Sequence, residues 1–177
     1  MTQRSKATIL PGDDNPGRKD NFQYIERYPV VGSVAFQTDV VRRLYEKWRR
    51  DGARVDAWNV DNLDSDVEFR PNYYMVRVLG DGSFLYQRNG REVRRLVGGY
   101  QKGETFSYTD QKQEARTLAR YFQEVVDDRL CYRCCGELVT AEGRKSFESL
   151  DCPLMDEHGT VVATIGALAL TEVDAGR

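Results

Sequence analysis

The run VVATIGALAL, residues 161 to 170, is apolar at nearly every position, so an extended chain there is apolar on both faces. At ten residues it is far short of the ~20 a membrane-spanning helix needs. A strand of this kind belongs in the middle of a sheet. Turn signals precede it at Asp156 to Gly159 and, further upstream, at Glu142-Gly143. They mark off two more strands, Leu130 to about Thr140 and Ser146 to Leu154. Two other β-rich runs, NYYMVRVL and SFLYQR, flank Gly80-Asp81-Gly82, and Asp-Gly between such runs is a strong hairpin signal. Between the two groups lies DQKQEARTLARYFQEVVDD, where Ala115, Leu118, Ala119, Phe122, Val125 and Val126 fall on one helical face. These elements predict an α+β domain with a five-stranded antiparallel sheet and helices packed on one face.

An N-terminal flanking helix is predicted over 38–52. Thr38 or Asp39 caps it, and Val40, Val41, Leu44, Tyr45 and Trp48 recur at helical spacing before Gly52 closes it. Its stripe must bury against its own domain or a second copy of itself, which makes Val41, Leu44, Tyr45 and Trp48 candidates for a dimer or partner seam. Residues 1–36 are rich in Gly, Pro, Asp and Arg and read as a flexible or partner-binding tail. The domain then runs over 37–172, with a short C-terminal tail at 173–177. Charge is nearly balanced, 26 Lys plus Arg against 28 Asp plus Glu, so nothing global draws the chain to nucleic acid or acidic lipid. No apolar leader opens the sequence. The expectation is a cytoplasmic protein with no nucleic-acid or membrane partner and four mostly reduced cysteines.

Several strings resemble the short stand-alone PAS proteins of alphaproteobacteria. LYEKWRRDG is similar to that family's opening helix with its tryptophan, here Trp48. FLYQRNGREVRRLVGGYQKGETF resembles its aromatic-x-Tyr and Gly-x4-Gly pattern, on Phe84, Tyr86, Gly90, Gly98 and Gly103. LDCPLMDEHGTVVATIGAL is similar to its late strand pair. The resemblance covers residues 38 to 170. It implies the PAS fold and a free-standing bacterial sensor or interaction module in signal transduction.

The cysteines supply the most conspicuous chemistry. Zinc would need four converging ligands, and Cys131, Cys134, Cys152 and His158 are the only set. Strand alternation sends Cys131 and Cys134 to opposite faces, so a metal site is not expected. A thiol redox site is no better placed, because its C-x-x-C would normally open a helix. On the apolar face Cys134 joins Leu130, Tyr132 and Leu138. The matching face of the next strand is read as Leu150, Cys152 and Leu154, which would bring Cys134 near Cys152. The bland reading makes both cysteines small buried hydrophobes; the sharper one makes them a redox-sensitive pair.

No cofactor is assigned. Histidine-ligated haem is argued against because the lone His158 falls in a turn, and the Asn-Cys-Arg-Phe string of photoactive flavin domains does not occur. Arg91 and Arg95 read as a solvated charge run. By alternation Arg88 would share a face with Phe84 and Tyr86 and look inward, unless the strand ends first. With a single turn-located histidine and no nucleophile–base couple, catalysis is not expected. The function expected is a sensory or regulatory protein that holds a small molecule between sheet and helices and signals through protein–protein contacts, as a homodimer or with a partner protein yet to be identified. Candidate lining residues are Tyr74, Val76, Phe84, Tyr86 and Arg88, then Phe106, Phe122, Cys134, Leu154 and Ile165. The alternative is a scaffold with a packed core that acts only by dimerisation or docking.

Overall fold

The computed structural model describes residues 6–9, 20–58 and 65–171. Strands β1 (Lys6–Ile9) and β2 (Phe22–Pro29) precede helix α1 (Asp39–Asp51). The β3–β4 hairpin (Tyr73–Gly80, Ser83–Asn89) leads through α2 (Arg91–Val97) and β5 (Thr105–Ser107) to the long helix α3 (Gln113–Asp128). Strands β6 (Tyr132–Thr140), β7 (Gly143–Met155) and β8 (Val161–Leu170) complete an antiparallel sheet of order β1-β2-β6-β7-β8-β3-β4-β5. The apolar run at 161–170 is central, paired to β7 on one side and β3 on the other.

Among the described residues the sheet has eight strands rather than the expected five. Strands β3, β4, β6, β7 and β8 are the expected ones. β5 is a three-residue edge too short to carry a period. The larger difference lies in the supposed tail. Residues 22–29 pair with β6 along its length, even though their side chains are mostly half-buried and a bulge shifts the register between Phe22 and Tyr24. Gly136 lets this strand in, because a Cβ there would overlap the Tyr24 carbonyl oxygen. The C-terminal tail at 173–177 and positions 1–5 and 10–19 lie outside the described residues.

Helices cover both faces of the sheet, not one. On the first face α2 and α3 bury Val93, Leu96, Ala115, Ala119, Phe122 and Val125 against Tyr74, Val76, Phe84 and Phe147. On the second, Val41 and Leu44 of α1 are fully buried against Leu150, Cys152, Leu154, Ala163 and Ile165. Thr38 caps α1 by accepting the Val41 N–H at 3.3 Å, and Trp48 donates to the Pro153 carbonyl at 3.0 Å. The stripe read as a dimer seam is therefore spent on the chain's own sheet, with Tyr45 and Trp48 left half-covered. Glu148, 0% exposed, pins the helix entry. Its carboxylate accepts from the Gln37 and Thr38 N–H groups, the Thr38 hydroxyl and the Arg133 guanidinium at 2.7–3.0 Å.

Candidate functional site: a carboxylate in an aromatic cavity

A partly open cavity of about 80 Å³ lies between α3 and the first face of the sheet. Strand β2 closes one side with Phe22, Ile25 and Arg27. The sheet floor offers Tyr74, Tyr86, Cys134, Ser149 and Asp151, and α3 offers Glu114, Thr117, Leu118, Tyr121 and Phe122. The walls are mainly apolar and aromatic, with a few polar groups converging at one end. That is the composition of small-molecule sites.

Asp151 is the chemical centre. It is 1% exposed, on a strand whose neighbouring inward residues are Phe147 and Ser149. The Tyr121 hydroxyl donates to its Oδ2, and the Tyr74 hydroxyl is also directed at the carboxylate. Its Oδ1 has no hydrogen-bond partner. Burial lifts its pKa to about 6, while the two phenols and the Arg27 guanidinium pull the other way. The register of three strands produces this grouping. Asp151 pairs with Gly166, and Gly166 pairs with Tyr74. With no side chain between them, Tyr74 lies over Gly166 toward Asp151; a Cβ at 166 would overlap its ring.

Arg27 also lines the cavity, its guanidinium 4.6 Å from the Tyr121 ring centroid and 3.5 Å from Glu124. The contact holds β2 against α3. The Cys134 thiol donates to the Tyr121 hydroxyl at 3.4 Å. Burial, reinforced by Asp151, pushes that thiol up to about 12, so it stays protonated at neutral pH.

Of the sequence-predicted lining residues, Tyr74, Tyr86, Phe122 and Cys134 border the cavity. Val76, Phe84 and Phe106 sit behind them in the same core, where Phe84 and Phe106 stack at 5.5 Å. Leu154 and Ile165 do not belong to the site: both face α1 across the sheet. Arg88 is displaced by a bulge in β4. Met75 pairs with Arg88 but Val76 pairs with Tyr86, so alternation breaks and Arg88 shares the Met75 side, donating to the Arg70 carbonyl at 2.9 Å.

The hairpin explains a second correction. Thr140 pairs with Gly143 across a two-residue loop, so even positions of β6 oppose odd positions of β7. Cys134 therefore meets Ser149, and Cys152 lies on the opposite face beside Cys131. His158 sits in an exposed turn. Among the described residues no group of three His, Cys, Asp or Glu is placed to hold a metal ion. Nor is any described helix long and apolar enough to cross a membrane.

Arg27, Tyr121 and Asp151 were not among the sequence candidates. Tyr121 does fall at helical spacing beside Leu118, Phe122 and Val125, and Asp151 is a lone carboxylate inside the strand-like LDCPLM.

No family model matches the sequence, and no curated protein is similar to it. Among solved structures the chain is similar to an RNA-binding light-oxygen-voltage receptor, at 12% identity and a TM-score of 0.42 over 85% of this chain. It spans 39% of that receptor's length. The light-state LOV domain of the blue-light photoreceptor Aureochrome1 aligns at 13% identity and a TM-score of 0.39, over 65% of this chain and 90% of that one. An IcIR transcriptional regulator from Alicyclobacillus acidocaldarius follows at 14% identity and 0.32, over 78% and 60%.

Proposed function

We propose that this protein is a non-catalytic, PAS-type sensory module that takes a small molecule in the cavity between α3 and the sheet. The observation that carries the reading is Asp151: a nearly inaccessible carboxylate with one oxygen unpartnered, facing a cavity. Leaving such an acceptor unmet costs about 1–3 kcal/mol, a cost that a ligand supplying the donor would offset. The reading is non-catalytic because the Cys134 thiol is held protonated and the one histidine lies in an exposed turn, outside the cavity. Arg27 gives a route outward. It bridges β2 and α3 through Glu124 and the Tyr121 ring, and Tyr121 bonds Asp151, so occupancy at Asp151 would alter the clasp between the two elements. A fragment-sized library screened by ¹H–¹⁵N NMR tests the reading. Binders should shift the amides of Tyr74, Tyr121, Cys134 and Asp151 together; a library in which no compound does so refutes it.

A further inference from the structure

We propose that the cavity selects a small organic cation, an ammonium or amidinium on a compact apolar body, and that Asp151 Oδ1 accepts its N–H. This rests on the cavity reading above and adds the charge class of its ligand. Three features carry it. The first is the unpartnered Oδ1 of a residue only 1% exposed, on the cavity floor.

The second is the charge at that point of the lining: Asp151 brings a carboxylate, and among the described lining residues the guanidinium is that of Arg27. That guanidinium already lies over the Tyr121 ring and beside Glu124. An anionic ligand would meet a buried carboxylate. A neutral donor could satisfy Oδ1 but would not answer the charge of the Asp151 carboxylate.

The third is aromatic. Tyr74, Tyr86 and Tyr121 line the cavity around the carboxylate, and tyrosine ring faces attract a desolvated cation. Together they make an acidic group among aromatic rings, with apolar residues such as Phe22, Ile25 and Leu118 left to enclose a short hydrocarbon body.

The test uses three probes of one branched skeleton, isobutylamine, isobutanol and isobutyrate, titrated into the full chain by ¹H–¹⁵N NMR at pH 7.5. The amine should bind at least tenfold more tightly than the alcohol, with isobutyrate weakest. Asp151→Asn, which conserves shape, should abolish the amine's preference. In the unaltered protein, lowering the pH from 7 to 5 should weaken the amine about tenfold. The amine stays protonated throughout, whereas Asp151, with a pKa of about 6, becomes mostly neutral. The charged groups Asp20, Arg27 and Glu114 also face the site, so the Asn variant serves as the control for everything other than Asp151.

The inference is overturned if the alcohol or the carboxylate binds as well as the amine, or if Asp151→Asn retains the preference. Either outcome leaves the cavity reading standing. If none of the probes moves a cavity resonance and the fragment library also fails, the cavity reading falls with it. Should the Asn variant not fold, the probe comparison and the pH comparison in the unaltered protein decide together.

Discussion

Replacing Asp151 with Asn should make the protein more stable at neutral pH and leave it unimproved in acid. The folded-state pKa is about 6, and the ordinary aspartate value is 3.8. Well below pH 3.8 the carboxyl is protonated in folded and unfolded chains alike, so no differential term exists. As pH rises from about 4 to 6 the unfolded chain has lost the proton while the folded chain retains it, and stability falls through that window. Above pH 6 both are ionised, and the folded state bears the whole cost of a buried charge. At ~1.4 kcal/mol per pH unit between the two values, that cost is about 3 kcal/mol. Asn conserves the shape and an acceptor for the Tyr121 hydroxyl without the charge. The stability difference, variant minus wild type, should therefore rise by about 2–3 kcal/mol between pH 4 and pH 7.5. With a urea m-value of about 1–3 kcal/mol/M, the midpoint difference moves by roughly 1–3 M. The assay is urea unfolding of both proteins across this range, where contributions from Asp20, Glu114 and every surface carboxylate largely cancel. A difference that is flat with pH would mean that Asp151 titrates normally, and the account of the site as a costly buried charge would be wrong.

Three other perturbations probe the frame that holds the site. Gly166→Ala places a methyl in the Tyr74 ring and should cost about 1–3 kcal/mol in urea unfolding; it should also raise the Asp151 pKa in a ¹³C carboxyl titration, because Tyr74 is displaced from the carboxylate. Unchanged stability and titration would show that Tyr74 does not need the gap. Glu148→Ala strips the acceptor from Arg133, Thr38 and Gln37, and leaving that guanidinium without its buried partner should cost about 3–5 kcal/mol by the same unfolding assay; a loss under 1 kcal/mol would refute its role at the α1 entry. Treatment of the folded protein with diamide, followed by alkylation and mass spectrometry, should yield any disulfide as 131–152, since those thiols share a face. A 134–152 crosslink formed without unfolding would contradict the strand register.

What the sequence made legible was local periodicity, and what it concealed was parity across connections. Thr38, Asp39 and Gly52 bound α1 as capping chemistry dictates, and Gly80-Asp81-Gly82 joins β3 to β4. Within β6 alternation alone puts Tyr132, Cys134 and Leu138 on one face and Cys131 on the other. Carrying that parity into β7 required the loop length, and the two-residue turn after Thr140 moved Cys152 and Leu154 to the α1 face. Arg88 was likewise turned to the Met75 side of the sheet by a bulge whose one extra residue leaves no compositional trace. Strand β2 was hidden for another reason. A strand that buries little and carries Arg27 at an inward position looks polar, although NFQYIERYP holds three aromatics and an isoleucine, the residues that suit a half-buried pleated surface.

The same logic explains why α1 lies where it does. A strand apolar on both faces demands cover on both, and α2 with α3 can supply only one side. Ala163, Ile165 and Ala167 of β8 turn away from those helices, as do Leu150, Cys152 and Leu154 of β7. Among the described residues the remaining amphipathic helix is α1, and Glu148 fixes its first turn over that face while Trp48 ties its last turn to β7. With its apolar stripe committed there, α1 stiffens the strands from behind while Asp151, on the intervening residue of β7, faces forward into the cavity. A polar group that must wait unpartnered for a ligand needs a floor that does not relax to satisfy it. The three-layer arrangement provides that floor, which is why loosening α1 through Glu148 should weaken the site's preference for the amine as well as the fold.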